Sequence, residues 1–547
     1  MRVPKIRRLG FALFIFATLA GMAGCVHKIW VTEARQIPLS GADHVIKSPL
    51  RAHLTDGSTV VYSQGATISG GRIIGTGLAY PLLDDTHSTV RHWVPLDSVV
   101  GVETFEGKLL MAQSVTLSIA ASALTGVATI ALLKAIFGSC PTVYSDTGSG
   151  AVLQAEGFSY AIAPLLENRD VDPLNVRVDA DDKIRLELRN EALETHYINH
   201  IELLAVRHAK DDVVIPDQGG KLVMVGPASA LVSARDRAGR DVRAELASAD
   251  SQLFASAPAT VNAAHAGDLD DWLDLEANDL PAGDSVAVVL RLRNSLLNTV
   301  LLYDGILGGR DAADWMTGGL QNIGTALDVA RWYTRTMGMH ATVDGVPLSG
   351  PTAKEHARLS DVGPIAFRDV AIMLPRTERN AKRVRVRLRF VADQWRIDRA
   401  VIAGRIARPT QTTVHLTRVV VPNPARGGPA VADTAALHAL ADADDRYLQT
   451  QPGQRMTLEF AAPSHASSEP DPRARSRSTP VNDSTISYLI AWQGWYREWI
   501  RGSWLADPTR TTPWVPGDSA VATALTRWRD KRDGLERAFY SSRIPVR

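Results

Sequence analysis

Apolar and polar residues alternate along much of this 547-residue chain, the period-two pattern of half-buried strands. Ile184-Arg185-Leu186-Glu187-Leu188-Arg189 is one such run, and Val384, Val386, Leu388 and Phe390 alternate with Arg383, Arg385, Arg387 and Arg389 in another. Ile198–Arg207 and Val286–Leu292 read as further strands, and Trp395–Ile402 and Val414–Val421 as neighbours of one another. Leu54-Thr55-Asp56-Gly57 feeding Ser58-Thr59-Val60-Val61 is a hairpin turn signal. Helical spacing occurs in Met316, Leu320, Ile323, Leu327 and Ala330, and Asn294-Ser295 is placed to cap a helix. Tyr488, Trp492, Trp495, Tyr496 and Trp499 share one face of a helical wheel.

These patterns predict a mainly β fold with helical insertions and β-sandwich-like domains. The divisions expected are a leader over 1–24, a tether over 25–48, a small β-unit over 49–107, and a hydrophobic helical segment over 108–139. A β-sandwich-like domain over 140–310 follows, then a helical insertion over 311–340 and a second β-rich domain over 341–463. A Ser/Pro-rich linker over 464–484 leads to an aromatic helical segment over 485–547.

The leader carries Arg2, Lys5, Arg7 and Arg8, then an uncharged apolar run from Leu9 to Met22 ending in Met22-Ala23-Gly24-Cys25. Positive region, apolar region and small residues stand in the order of a secretory signal. The stretch before Cys25 resembles the lipobox of bacterial lipoproteins. The resemblance implies cleavage before Cys25, acylation (palmitate-type chains) of that cysteine, and a membrane anchor. Val26 follows where an inner-membrane retention signal has Asp, so outer-membrane attachment facing the periplasm is the expected location. Removing 1–24 takes away four positive charges and changes the balance from 60 against 59 to 56 against 59.

Leu109 to Leu133 holds no charge and is long enough to cross a bilayer, but the basic residues flank its upstream side, the wrong sense for a lipidated N-terminus outside the cytoplasm. It is read as a helix packed on protein or near the lipid surface. Ser118, Ser122 and Gly126 recur every fourth residue and would permit self-association.

Near-neutral charge argues against a nucleic-acid partner, and two cysteines exclude a disulfide framework. Cys140 is expected to be buried, since no basic residue lies between Lys134 and Arg169 to lower its pKa. The arginine row at 383–389 is expected to be ordinary solvated surface, in a chain with 49 Arg to 11 Lys. His196 and His200 lack the Glu of a zinc-protease motif, and Asp179, Asp181 and Asp182 lack the Gly and Glu of a calcium loop. The glycines at 65, 70, 71, 75 and 77 lack the Gly-Lys-Ser/Thr of a phosphate loop. No metal, cofactor or catalytic residue is nominated. Tyr488, Trp492, Trp495 and Trp499 are the candidate docking or membrane face.

Ser139-Cys140-Pro141-Thr142-Val143-Tyr144, Ala155-Glu156-Gly157 and Ala161-Ile162-Ala163-Pro164 are similar to a segment of large uncharacterised bacterial envelope proteins, and Arg385–Ile402 and Trp492–Trp499 are similar in style. The resemblance implies no activity. The expectation is therefore a lipid-anchored envelope protein with a non-catalytic binding or scaffolding role and an envelope protein partner. The alternatives are an envelope hydrolase acting on glycan or peptide, and a membrane-integral assembly subunit if 109–133 spans.

Overall fold

Strands form where the period-two pattern predicts them, and the computed structural model is mainly β with helical insertions. It describes residues 30–32, 44–47, 50–54, 58–80, 88–104, 107–109, 140–301, 323–344, 358–423, 429–462, 484–501 and 517–541, apart from isolated positions within them. The leader, Cys25, Ser118, Ser122, Gly126 and the body of the hydrophobic run lie outside the described residues. Among the described residues no helix is long and apolar enough to cross a membrane.

The small N-terminal unit is one antiparallel sheet. Its order is His44–Ile46, Ala66–Ser69, Arg72–Tyr80, Thr59–Tyr62, Leu50–Leu54, Val99–Thr104 and Ile500–Arg501, with Thr89–Pro95 on the far side of Arg72–Tyr80. Leu50, Ala52, Val60, Tyr62, Ile73 and Val94 fill its core. Gly65 has a φ of +81°, and a side chain there would collide with the Ile46 carbonyl, so the turn into Ala66 requires glycine. The unit thus reaches back to residue 44, into the stretch expected to be tether. It also borrows a strand from the C-terminal region.

The large sheet runs Ala151–Glu156, Thr142–Asp146, Lys183–Arg189, Arg455–Ala461, Thr412–Val421, Glu194–Ala209, Ser484–Glu498 and Asn168–Leu174. Its spine is the long pairing of Glu194–Ala209 with Ser484–Glu498, from Glu194↔Glu498 to Ala209↔Ser484, with one bulge between Ile198 and His200. The last helix, Asp518–Ser541, belongs to the same core through Val521, Ala524, Leu525 and Trp528, a helical repeat on one face.

Between the sheet's strands 194–209 and 412–421 the chain builds a separate sandwich. One layer is ordered Leu231–Asp236, Asp270–Ala277, Val384–Val391, Met339–Val343 and Arg358–Leu359; the other is Arg368–Pro375, Ser285–Asn294 and Trp395–Ala403. Leu273, Leu275, Val288, Leu290, Ile372, Val386, Leu388 and Ile397 make their shared core. The opposite face of the three-stranded layer is covered by Val213–Pro216 and Leu222–Val225, through Ile215, Val223 and Val225 against Ala287, Val289 and Ala371.

The sheets cross the division expected at 310 and 341. The sandwich runs across both boundaries, and residues 142–209, 412–461 and 484–498 form one sheet around it. Trp395–Ala403 and Thr412–Val421 are strands but not neighbours; the first pairs with Ser285–Asn294 and the second with Glu194–Ala209 and Arg455–Ala461. Alternation marks a strand's two faces and says nothing of its partner, so the insertion is invisible to the pattern.

The segment expected to be an aromatic helix is also corrected. Residues 484–498 are a strand, and helix begins only at Asp518. Tyr488, Ile490 and Trp492 face one core, while Leu489 and Ala491 face a second with Val171, Leu204, Val206 and Val214. A strand buried on both faces loses its alternation, and its aromatic spacing then imitates a helix.

Candidate functional site

The nominated aromatic face is interior. Tyr488, Trp492 and Trp495 are all buried, Trp492 completely. The Trp492 indole donates to Asp172 Oδ2 at 3.0 Å, and Trp495 stacks on Tyr197 with ring centroids 4.0 Å apart. These three side chains hold the sheet together and offer no surface. Trp499 lies outside the described residues.

The chemistry that stands out is instead a buried polar seam between the large sheet and the sandwich, whose sequence signal was no more than scattered acids. Glu156 ends its strand with Oε2 accepting from the Ile365 and Ala366 amides at 2.7 and 2.9 Å. Asp361 accepts from the Gly363 amide at 2.9 Å, Ser159 Oγ at 3.3 Å, Tyr333 Oη at 2.9 Å and Asn298 Nδ2 at 2.5 Å. Arg368 is paired with Asp170, and its Nε lies 2.6 Å from Asp172 Oδ1. Gly363, at φ +91°, has no room for a side chain because the Glu156 carboxyl carbon would sit 2.6 Å from it.

Burial dominates the protonation of this seam. It pushes Glu156 up to about 7, against the two amides that favour the charged form. It also pushes Asp172 up to about 7 despite Arg368, and raises Asp361. Cys140 is buried as expected, and burial followed by the neighbouring Glu156 drives its thiol well above the ordinary range. Carboxyls held protonated near neutrality are the usual equipment of general acids. Here the space beside them, among the described residues, is small. The cavity beside them, lined by Asp170, Asp217, Gln218, Asp361 and Arg368, measures about 30 Å³, enough for a water or two.

A larger cleft of about 410 Å³ lies on the sandwich, lined by Asp268, Asp270, Arg335, His340 and Arg389 among others. Its volume suits a small molecule. Most of its charges are already paired: Arg389 with Asp270 at 2.6 Å and Asp268 with Arg237 outside the lining, while His340 Nε2 meets the Arg335 carbonyl at 3.0 Å. Burial lowers the His340 pKa.

The remaining nominated groups resolve into structure. His196 is wholly buried, with Nε2 2.7 Å from Glu194 Oε1 and Nδ1 3.0 Å from Thr450 Oγ1, and burial lowers its pKa to about 3. His200 lies beyond the bulge and points Nδ1 at the Leu440 carbonyl. Asp179 and Asp181 both bind Arg185. Each arginine of the 383–389 row meets an acid on the facing strand: Arg383 and Arg385 meet Glu276, Arg387 meets Asp274 and Arg389 meets Asp270. The row is a surface ladder of four arginines against three acids, Glu276 being shared. Among the described residues no group of three or more His, Cys, Asp or Glu could hold a metal ion.

No family model matches the chain, and no curated protein matches it. Among solved structures it is similar to the GH31 alpha-xylosidase from Xanthomonas citri at 10% identity, over 79% of this chain and 34% of that one, with a TM-score of 0.15. The chain spans about a third of that enzyme's length, and a superposition this loose carries no argument about fold or activity.

Proposed function

We propose that the chain is a lipid-anchored envelope protein, held through Cys25 in the outer membrane with its body in the periplasm, and that its role is non-catalytic binding or scaffolding. The ordered leader and lipobox-like Met22-Ala23-Gly24-Cys25 support the anchoring. The observation that carries the non-catalytic role is the seam. Its perturbed carboxyls are consumed in joining the sandwich to the sheet, and the adjoining cavity is water-sized. A protein whose buried chemistry joins its own two bodies is suited to presenting a stiff surface. Cross-linking in intact envelopes tests the role: a partner joined reproducibly at exposed positions is expected. No partner, together with turnover of a cell-wall fragment by the purified protein, would overturn it.

The second reading is a hydrolase acting on envelope glycan or peptide, favoured by the 410 Å³ cleft with His340 in its wall. On that reading the purified protein degrades such a fragment and His340→Asn abolishes turnover.

A further inference from the structure

The small N-terminal sheet buries one face and leaves an apolar group on the other. Ile74 stands opposite Trp93, and Leu78 opposite Val90, across the Arg72–Tyr80 and Thr89–Pro95 hairpin. Val45 extends the first row on the other side, through Thr67, which pairs with Ile74. All five apolar side chains are exposed, Val90 to 57% and Trp93 to 50%. A soluble surface seldom gathers such residues in adjoining rows. Arg72 stacks its guanidinium over the Trp93 ring at 4.5 Å.

We propose that this face rests on the phospholipid bilayer surface, with Val45, Ile74, Leu78, Val90 and Trp93 at the headgroup–acyl boundary and Arg72 among the lipid phosphates. The inference rests on the anchoring reading and deepens it. The chain's own path selects lipid as the occupant. Trp30–Thr32 forms a two-stranded ladder with Gly107–Leu109, and Gly107 follows Thr104 of the small sheet by three residues. Trp30 is five residues from Cys25, a reach of at most about 18 Å for an extended chain. An acyl group on Cys25 therefore keeps the small sheet on a short leash at the membrane. A Trp with an arginine stacked on it is matched to that boundary, where one end of the ring is apolar and the other wet.

The test uses the mature lipidated protein reconstituted into phosphatidylethanolamine–phosphatidylglycerol vesicles containing spin-labelled lipid. An environment-sensitive fluorophore is placed by Val90→Cys, by Val45→Cys as a second position, and by Val232→Cys on the exposed surface of the sandwich as reference. Cys140 is buried, so the new thiol takes the label. Blue-shifted emission and strong quenching by lipid at 90 and 45, with neither at 232, is the expected result. Water-like emission at 90 and 45 on vesicles that carry the protein would overturn the bilayer assignment while leaving the anchor intact. Quenching at 90 only by a spin label on a second copy would also overturn it, assigning the face to self-association. The N-terminal mass of the same sample reports the anchor separately. If Cys25 proves unacylated, lipid quenching at 90 from added vesicles still supports the face and its absence overturns it.

Discussion

At the residue scale the molecule is governed by ionisable groups kept away from water. Glu156 has its folded pKa raised to about 7 by burial, so its contribution to stability is full below its unfolded value and is lost as pH rises through 7. That shift from 4.5 corresponds to about 3 kcal/mol between those limits. Asp172 acts in the same direction. His196 acts the opposite way: its folded pKa lies near 3, so the stability it contributes is present above about 6.5 and is lost as pH falls. Across pH 4–9 these three groups together should make denaturant unfolding hardest near about pH 4–5 and easier as pH rises to about 7, because two carboxyls outweigh one histidine, and Glu156→Gln should flatten that fall. An unchanged fall over that interval in the variant would show that Glu156 is ionised at little cost. Gly363→Ala should destabilise by about 2 kcal/mol or more, from the strain of its left-handed backbone together with the clash against Glu156.

At the scale of elements, the two-faced strand Ser484–Glu498 bears the largest consequence. Trp492→Phe keeps most of the ring volume but leaves Asp172 without its indole donor, and should cost about 1–3 kcal/mol in a chemical melt. A surface aromatic would tolerate the same change. Arg387→Ala, which breaks a largely exposed pair with Asp274, should shift stability by less than about 1 kcal/mol. These two outcomes separate what was legible in the sequence from what was not. Val384–Val391 announced itself as a strand and its arginines as solvent-facing, because one face is buried and the other wet. Tyr488–Trp495 did not, because cores on both sides removed the alternation. The seam was illegible for a different reason. Glu156, Asp172, Asp361 and Arg368 are up to about 200 positions apart, and only the pairing of distant strands brings them together.

At the scale of the whole molecule, a sandwich inserted into a sheet needs a rigid joint, and the seam supplies it. The C-terminal helix adds a second tie, Trp528 Nε1 donating to Asp393 Oδ2 at 2.6 Å and Arg396 meeting Glu536. Arg368→Met should leave Asp170 and Asp172 buried without their cation and cost about 3–5 kcal/mol. Hydrogen exchange should then rise first along 361–368, where the bodies meet, and not within the sandwich core. Uniform loss of protection would mean that the two bodies do not meet through a discrete joint.

On the proposed reading, acylation of Cys25 moors this joined body to a membrane. Mass spectrometry of the N-terminal tryptic peptide from the membrane fraction tests it most directly. A peptide Cys25–Lys28 bearing acyl chains is predicted; a peptide retaining Met1, or an unmodified Cys25, would contradict it.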